Sequence, residues 1–319
     1  MTRALTTSDV KTSSIPAAAP TPARGGRLDA GLLIALASAA AFGTSGPFSK
    51  ALLDSGWSPG AIVLLRVSGA ALLLLGPALR AVRGRWSLVR SQACPIVVFG
   101  LAAVAGCQVA YVNAIGYLSV GVALLLEYLA VVLVALWAWF RTGLAPSLLT
   151  WAGMAAAVAG LVLVLDVAGT AAPAPVGVAW GLLAAVGLTV YFVTAADHGG
   201  LPPVALAAFG MVTGAVALGV LGLAGLLPMT FSTAPVSVGG LALPAWSAVL
   251  ELVVVAAALA YLLGTVAARR LGSKVASFVG LTEVLFTVLF AWLLLGQLPA
   301  PIQLAGGVLI IIGVLAVRR

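Results

Sequence analysis

The chain has 319 residues, of which 63% are apolar and only 8% charged, against roughly a quarter charged in an ordinary soluble domain. A water-soluble fold cannot clothe its surface with so few polar groups, so lipid must be the solvent for most of it. The net charge of +8 does not point to nucleic acid, because the Lys and Arg residues sit in short connectors between apolar runs and form no phosphate-binding face.

Residues 1–27 are rich in Thr, Ser, Ala and Pro and carry Arg3, Lys11, Arg24 and Arg27 without an apolar core. They read as a disordered cytoplasmic tail, because a cleaved signal peptide needs an apolar stretch near its start. Apolar runs then follow almost without pause. They predict helices at 30–49, 59–79, 92–114, 119–140, 147–166, 176–196, 202–226, 243–268, 274–296 and 301–317. Each is near the length of about 20 residues that crosses the hydrocarbon core. The runs are continuous and do not alternate, which excludes a β-barrel as the main design.

The basic residues orient these spans. With a cytoplasmic start, the inner connectors hold Arg80, Arg83, Arg85 and Arg90, then Arg141, then Arg269, Arg270 and Lys274. The tail's four and the final pair Arg318 and Arg319 bring the inner total to fourteen of sixteen, leaving Lys50 outside and Arg66 within a span. A helix count wrong by one would swap every later connector to the other side, so the asymmetry supports ten spans with both termini inside.

The chain also repeats itself. Ala110-Tyr111, Val122-Ala123, Glu127, Ala152-Gly153 and Gly160 are followed, in the same order, by Ala260-Tyr261, Val275-Ala276, Glu283, Ala305-Gly306 and Gly313. The fold expected is therefore an all-α membrane protein of ten transmembrane helices, built as two inverted five-helix repeats at 28–168 and 175–319. Five spans per half is an odd number, so the second half inserts upside down relative to the first. Inverted repeats with a site between them are a transporter architecture.

On these residues the chain resembles the drug/metabolite transporter superfamily, and within it the EamA-type proteins of two five-helix repeats. The resemblance rests on Leu65-Arg66-Val67, the Glu127 and Glu283 segments and the Gly153/Gly160 and Gly306/Gly313 pairs, and covers about 30–317. It implies export or exchange of amino acids, other metabolites or drugs, without fixing a substrate. Family members often carry Gly-Glu shortly after the fourth and ninth helices. This chain has Phe140-Arg141 and Gly296-Gln297 there, so no role for that acidic pair carries over.

All three glutamates, Glu127, Glu251 and Glu283, fall inside predicted spans, and Arg66 is the one intramembrane base. A charge at the bilayer centre costs about 2.5 kcal/mol or more, so such groups need partners or a watery cavity. Arg66 has three readings: an ion pair with a glutamate, Glu127 being nearest by depth, a contact to a substrate anion, or snorkelling to the interface. Glu127 and Glu283 have two, as binding or proton-exchanging groups or as structural acids. Glu251 has no counterpart in the first half and reads as structural. Gln108, Tyr111, Tyr128, Tyr191, Tyr261 and Thr282 are candidates to line a polar cavity, or else to bond helix to helix. Trp137, Trp180 and Trp292 could stack on a ligand, and Trp57, Trp86 and Trp246 read as interface anchors.

Cys94 and Cys107 fall thirteen positions apart in one helix, beyond disulfide reach, and read as packing residues with no zinc spacing. The single histidine, His198, supports no metal or catalytic cluster. No metal, cofactor or enzymatic chemistry is expected. The partners expected are the bilayer and a small-molecule substrate, with proton coupling through the glutamates. The arrangement suits a zwitterionic or amphipathic solute, guanidinium to carboxylate and carboxylate to amine. A channel, or an intramembrane enzyme or sensor, is the rival reading.

Overall fold

Proline and glycine mark where the helices begin and end. Pro59, Pro175, Pro203 and Pro301 each occupy the first turn of a helix, where the missing N–H costs nothing. Before Pro59, the Ser58 side chain caps the helix by accepting from the Ala61 N–H at 3.3 Å. The computed structural model describes residues 24–118, 120–164, 174–197, 199–295 and 300–318. Residues 1–23 of the tail, His198, the Gly296-Gln297 pair and Arg319 lie outside them.

Eight helices are long and apolar enough to cross a membrane. They are α1 (Ala30–Asp54), α2 (Pro59–Ala81), α3 (Ala93–Tyr117), α4 (Val122–Thr142), α6 (Pro175–Ala196), α7 (Pro203–Leu223), α8 (Ala245–Leu271) and α9 (Ser273–Phe290). Two shorter apolar helices, α5 (Leu148–Val164) and α10 (Pro301–Arg318), close the two halves. Side chains such as Leu72, Phe140 and Leu223 are exposed on the outside of the bundle, as a lipid solvent requires. α1 runs on to Asp54, past the expected end at residue 49, so Lys50 lies on a helix. There it pairs with Asp54 at 2.6 Å, the only ion pair among the described residues.

The halves interlock. The most extensive helix contacts join α5 to α10, α2 to α7, α1 to α8 and α3 to α6. Each pair takes one helix from each half, and replacing every helix by its counterpart in the other half returns the same set. α5 and α10 cross antiparallel at glycines: a Cβ built on Gly160 would sit 2.6 Å from the Gly306 carbonyl, and one on Gly313 would sit 2.7 Å from that of Gly153. Both pairs were the ones that closed each repeat in the sequence.

The connectors gather into two groups. At one end Ser58 receives the α7–α8 connector, its N–H donating to Thr230 O at 3.0 Å and its hydroxyl to Pro228 O at 2.7 Å. That connector carries a small antiparallel hairpin, β1 (Val236–Val238) with β2 (Leu241–Leu243). At the other end Lys274, opening α9, donates to Thr150 at 3.0 Å near the start of α5. There too the start of α1 abuts the end of α8, where a Cβ on Gly31 would lie 2.9 Å from Leu271. α8 passes to α9 through Gly272 alone, whose φ of 80° lets two helices meet without a loop.

Candidate functional site

Five helices are interrupted, and all five line one cavity. α1 breaks at Thr44, between Gly43 and Ser45; α4 breaks at Leu129 and α9 at Leu281. α3 and α8 each contain a π-helical stretch, Phe99–Gly106 and Val254–Leu259. Irregular helix is tolerated at membrane depth only where protein or a cavity satisfies the backbone, and π-turns recur at functional sites. α2 and α6 complete the wall, while α5, α7 and α10 contribute nothing to it. α5 and α10 pack on each other, and α7 packs against α2.

The cavity holds about 710 Å³ of space, its open mouth included. Arg66, Gln108, Tyr111, Glu127, Tyr261 and Glu283, all picked out from sequence, line it together with Tyr128 and Tyr191. Arg66 marks one end, seven residues into α2. The other end is walled by small residues, Ala267 lying four residues before the end of α8 and Ala276 three residues after the start of α9. The cavity thus approaches the end of the bundle where α8 meets α9.

Arg66 is 2% exposed and its guanidinium is held from three sides. Nη1 donates to Ser45 Oγ and to Gln108 Oε1, both at 2.8 Å, and Nη2 donates to the Ala256 carbonyl at 2.6 Å. Gln108 in turn donates to the Tyr261 hydroxyl at 2.7 Å, and that hydroxyl donates to the Ala103 carbonyl at 3.2 Å. Ala103 and Ala256 both lie within the π-helical stretches. Of the three readings of Arg66, the ion pair with Glu127 does not form among the described residues. Neutral acceptors satisfy the charge, as the short chain and break of α1 place Ser45 closer to Arg66 than α4 places Glu127. Snorkelling is excluded by the same burial.

The acids have sparser company. Glu127 accepts from the Cys107 thiol at 3.3 Å, and Glu283 accepts from the Tyr128 hydroxyl at 2.6 Å. Both side chains are partly exposed. Glu251 accepts from Thr44 at the break in α1 and does not line the cavity. Thr282 is also absent from the wall, its hydroxyl donating to the Val279 carbonyl of its own helix at 2.7 Å.

Aromatic rings fill the space between. Tyr191 and Tyr261 meet at 5.4 Å, Phe42 lies 5.1 Å from Tyr261, and Phe192 lies 5.1 Å from Tyr191. Phe42 and Phe192 were missed in the sequence, since a lone Phe in an apolar run carries no signal. The tryptophans considered for stacking do not take part: Trp137 and Trp292 are exposed on the bundle's outside, and Trp180 is only partly buried and does not line this cavity. Cys107 is more than packing, for its thiol meets Glu127 and the Ala184 carbonyl, at 3.3 and 3.4 Å. Cys94 is free and exposed. No group of three or more metal-ligating side chains occurs among the described residues.

An interlocked two-repeat helical bundle with a charged cavity between its halves defines a polytopic membrane protein. The chain belongs to the EamA-like transporter family, whose profile matches residues 29–166 and again residues 175–319. A crystal structure of a protein shares the fold at a TM-score of 0.71 and 21% identity, covering 90% of this chain and 96% of that one. No curated protein matches the chain by sequence.

Proposed function

We propose that this protein is a secondary carrier that moves a small organic solute across the cytoplasmic membrane by alternating access, as exporter or exchanger. One observation carries the reading: a cavity holding Arg66, Glu127 and Glu283 at the junction of two five-helix repeats, in a chain of a transporter family. Interactions that bridge the halves, such as Gln108 to Tyr261, are the contacts that must exchange when one half rocks against the other.

Ten crossings and two cytoplasmic termini fit the geometry. The α1–α2 connector meets the α7–α8 connector, and the starts of α5 and α9 meet at the opposite end. That alternation supports a crossing by α5, and the antiparallel packing of α10 along α5 supports a crossing by α10 as well. It supports the five-helix halves at 28–168 and 175–319 as inverted copies.

Glu127 and Glu283 are the coupling groups in this reading, each able to release a proton when solute arrives and to regain it afterwards. A channel would need a polar lining from end to end, and here the lining turns to small residues such as Ala267 and Ala276 toward the end where α8 meets α9.

The test is exchange in liposomes. Purified protein should exchange an internal for an external labelled solute from a panel of amino acids and amines, saturably. The Glu127→Gln and Glu283→Gln variants should change the pH dependence of that exchange. Conductance without saturable exchange would replace the carrier with a channel. If both variants keep the parent's pH profile, the glutamates are structural.

A further inference from the structure

We propose that the cavity selects an organic cation, an amine carried on an apolar or aromatic body, with Glu127 and Glu283 as its counter-charges. The inference rests on the carrier reading and replaces the zwitterionic solute expected from sequence.

The difference lies in which charges are within reach. Arg66 is covered: three of its bonds go to protein acceptors, and its Nε, without a partner among the described residues, is sealed from solvent. An incoming carboxylate would have to displace Ser45, Gln108 or the Ala256 carbonyl to reach it. The two acids are partly exposed instead, and each accepts a single hydrogen bond from a side chain. An ionised carboxylate offers about four acceptor positions, so most of that capacity is open to a ligand. With both acids ionised, two negative charges face one positive charge in the lining, and a monocation closes the balance. Glu251 is turned toward Thr44 and takes no part in that sum.

The rest of the wall fits a cation equally well. Phe42, Tyr191, Phe192 and Tyr261 pack as neighbours in the lining, and aromatic faces attract ammonium groups. The Tyr191 hydroxyl, buried at the cavity wall, has no hydrogen-bond partner among the described residues. Like the Arg66 Nε it is sealed, packed against Gly264, so the ring and not the hydroxyl is what this tyrosine offers a solute. An anion would meet two carboxylates and no accessible cation. A zwitterion would satisfy the acids but leave its own carboxylate unpaired, which is costly in a desolvated site.

Three probes of one shape separate these cases: phenethylamine, phenylalanine and 3-phenylpropionate, which are cation, zwitterion and anion on the same ring. Binding to the purified full chain in lipid nanodiscs should favour phenethylamine over phenylalanine by tenfold or more, with no binding of phenylpropionate. Glu127→Gln and Glu283→Gln should each reduce that preference at least fivefold. Tyr191→Phe, which keeps the ring and removes only a sealed hydroxyl, should bind phenethylamine within twofold of the parent, whereas Tyr191→Leu, which removes the aromatic face, should weaken it severalfold. Equal or tighter binding of phenylalanine or phenylpropionate would overturn the proposal, and so would binding of none of the three. Counterflow in liposomes separates this result from the carrier reading. Selective phenethylamine binding without movement overturns the carrier alone, whereas preferential movement of phenylalanine overturns the cation alone.

Discussion

Arg66 Nη2 on α2 donates to the Ala256 carbonyl at 2.6 Å, inside the π-helical turn of α8. The opposite half answers in kind, since the Tyr261 hydroxyl of α8 donates to the Ala103 carbonyl in the π-helical turn of α3. Each half thus lends a widened turn to a donor from the other. The two π stretches end at Gly106 and Leu259, so Gln108 and Tyr261 each stand two residues beyond an end. These two residues are themselves bonded across the halves.

The fastening of Arg66 makes it a structural residue whose loss strands neutral acceptors. Arg66→Leu leaves Gln108, Ser45 and the Ala256 carbonyl without their donor, at about 1–3 kcal/mol for each buried group left unsatisfied. Yield and melting temperature in detergent should both fall. Arg66→Lys should lie between, because one ammonium cannot reach three acceptors in a fork. Adding Glu127→Gln should restore nothing, since no ion pair is broken. Recovery of the Leu variant by that second change would mean the two residues pair after all.

Gly264 faces Tyr191 across the α6–α8 contact, where a Cβ would sit 2.0 Å from the tyrosine hydroxyl and 2.9 Å from Ser38 Oγ. Ser38 is not free to yield, since it donates to the Ala260 carbonyl at 2.8 Å. Gly264→Ala should therefore push Tyr191 into the cavity and weaken solute binding tenfold or more, with a smaller loss of stability. Gly76, whose Cβ would meet nothing within 4 Å, is the control, and Gly76→Ala should behave like the parent. Parent-like binding by the Gly264 variant would remove the claim that this wall shapes the site.

Much of the helical architecture is legible in the sequence. Long apolar runs and the placement of Lys and Arg carried the spans, because lipid imposes hydrophobicity on every exposed face. Intramembrane ionisable residues carried the site, because only function or pairing keeps them at such a cost. What could not be read was partnership. Ser45 is one small residue among many in α1, and it meets Arg66 just past the break at Thr44. Phe42 and Phe192 were invisible for the opposite reason, being apolar residues in apolar runs whose neighbours across the cavity decide their role. The π turns of α3 and α8 left no mark in sequence, since they arise from packing between the halves and not from Pro or Gly placement alone.

α5 and α10 hold the halves together at glycines rather than at polar bonds. Gly160→Leu should force the helices apart, because its side chain would start from a Cβ 2.6 Å from the Gly306 carbonyl. In lipid, association rests on such close backbone approach. Gly313→Leu should do the same against the Gly153 carbonyl. Both should lower the melting temperature by several degrees while leaving the cavity's ligand preference unchanged in the protein that remains folded. Loss of ligand preference at unchanged stability would place α5 and α10 in the transport cycle instead of in its frame.

The last prediction concerns orientation, and it follows from charge and geometry together. Fourteen of the sixteen basic residues fall on one side if the chain crosses ten times. The one exception near a span end, Lys50 in the last turns of α1, is paired with Asp54 at 2.6 Å and so presents little net charge to the translocation machinery. Ser58 meets Pro228 and Thr230 at one end, and Lys274 meets Thr150 at the other, which assigns the α7–α8 hairpin to the side opposite the basic connectors. Reporter fusions after Arg90 and after Arg319 should therefore report the cytoplasm, and fusions after Pro175 and after Gly240 the exterior. Gly240 is the sharpest position, because it sits in the hairpin turn and lies between two helices long enough to cross. An eight-span chain that left α5 and α10 on the surface would keep Arg90 inside but place the Pro175 and Gly240 fusions differently. A cytoplasmic signal at Gly240 would reject the ten-span arrangement, and with it the inverted pairing of the two halves.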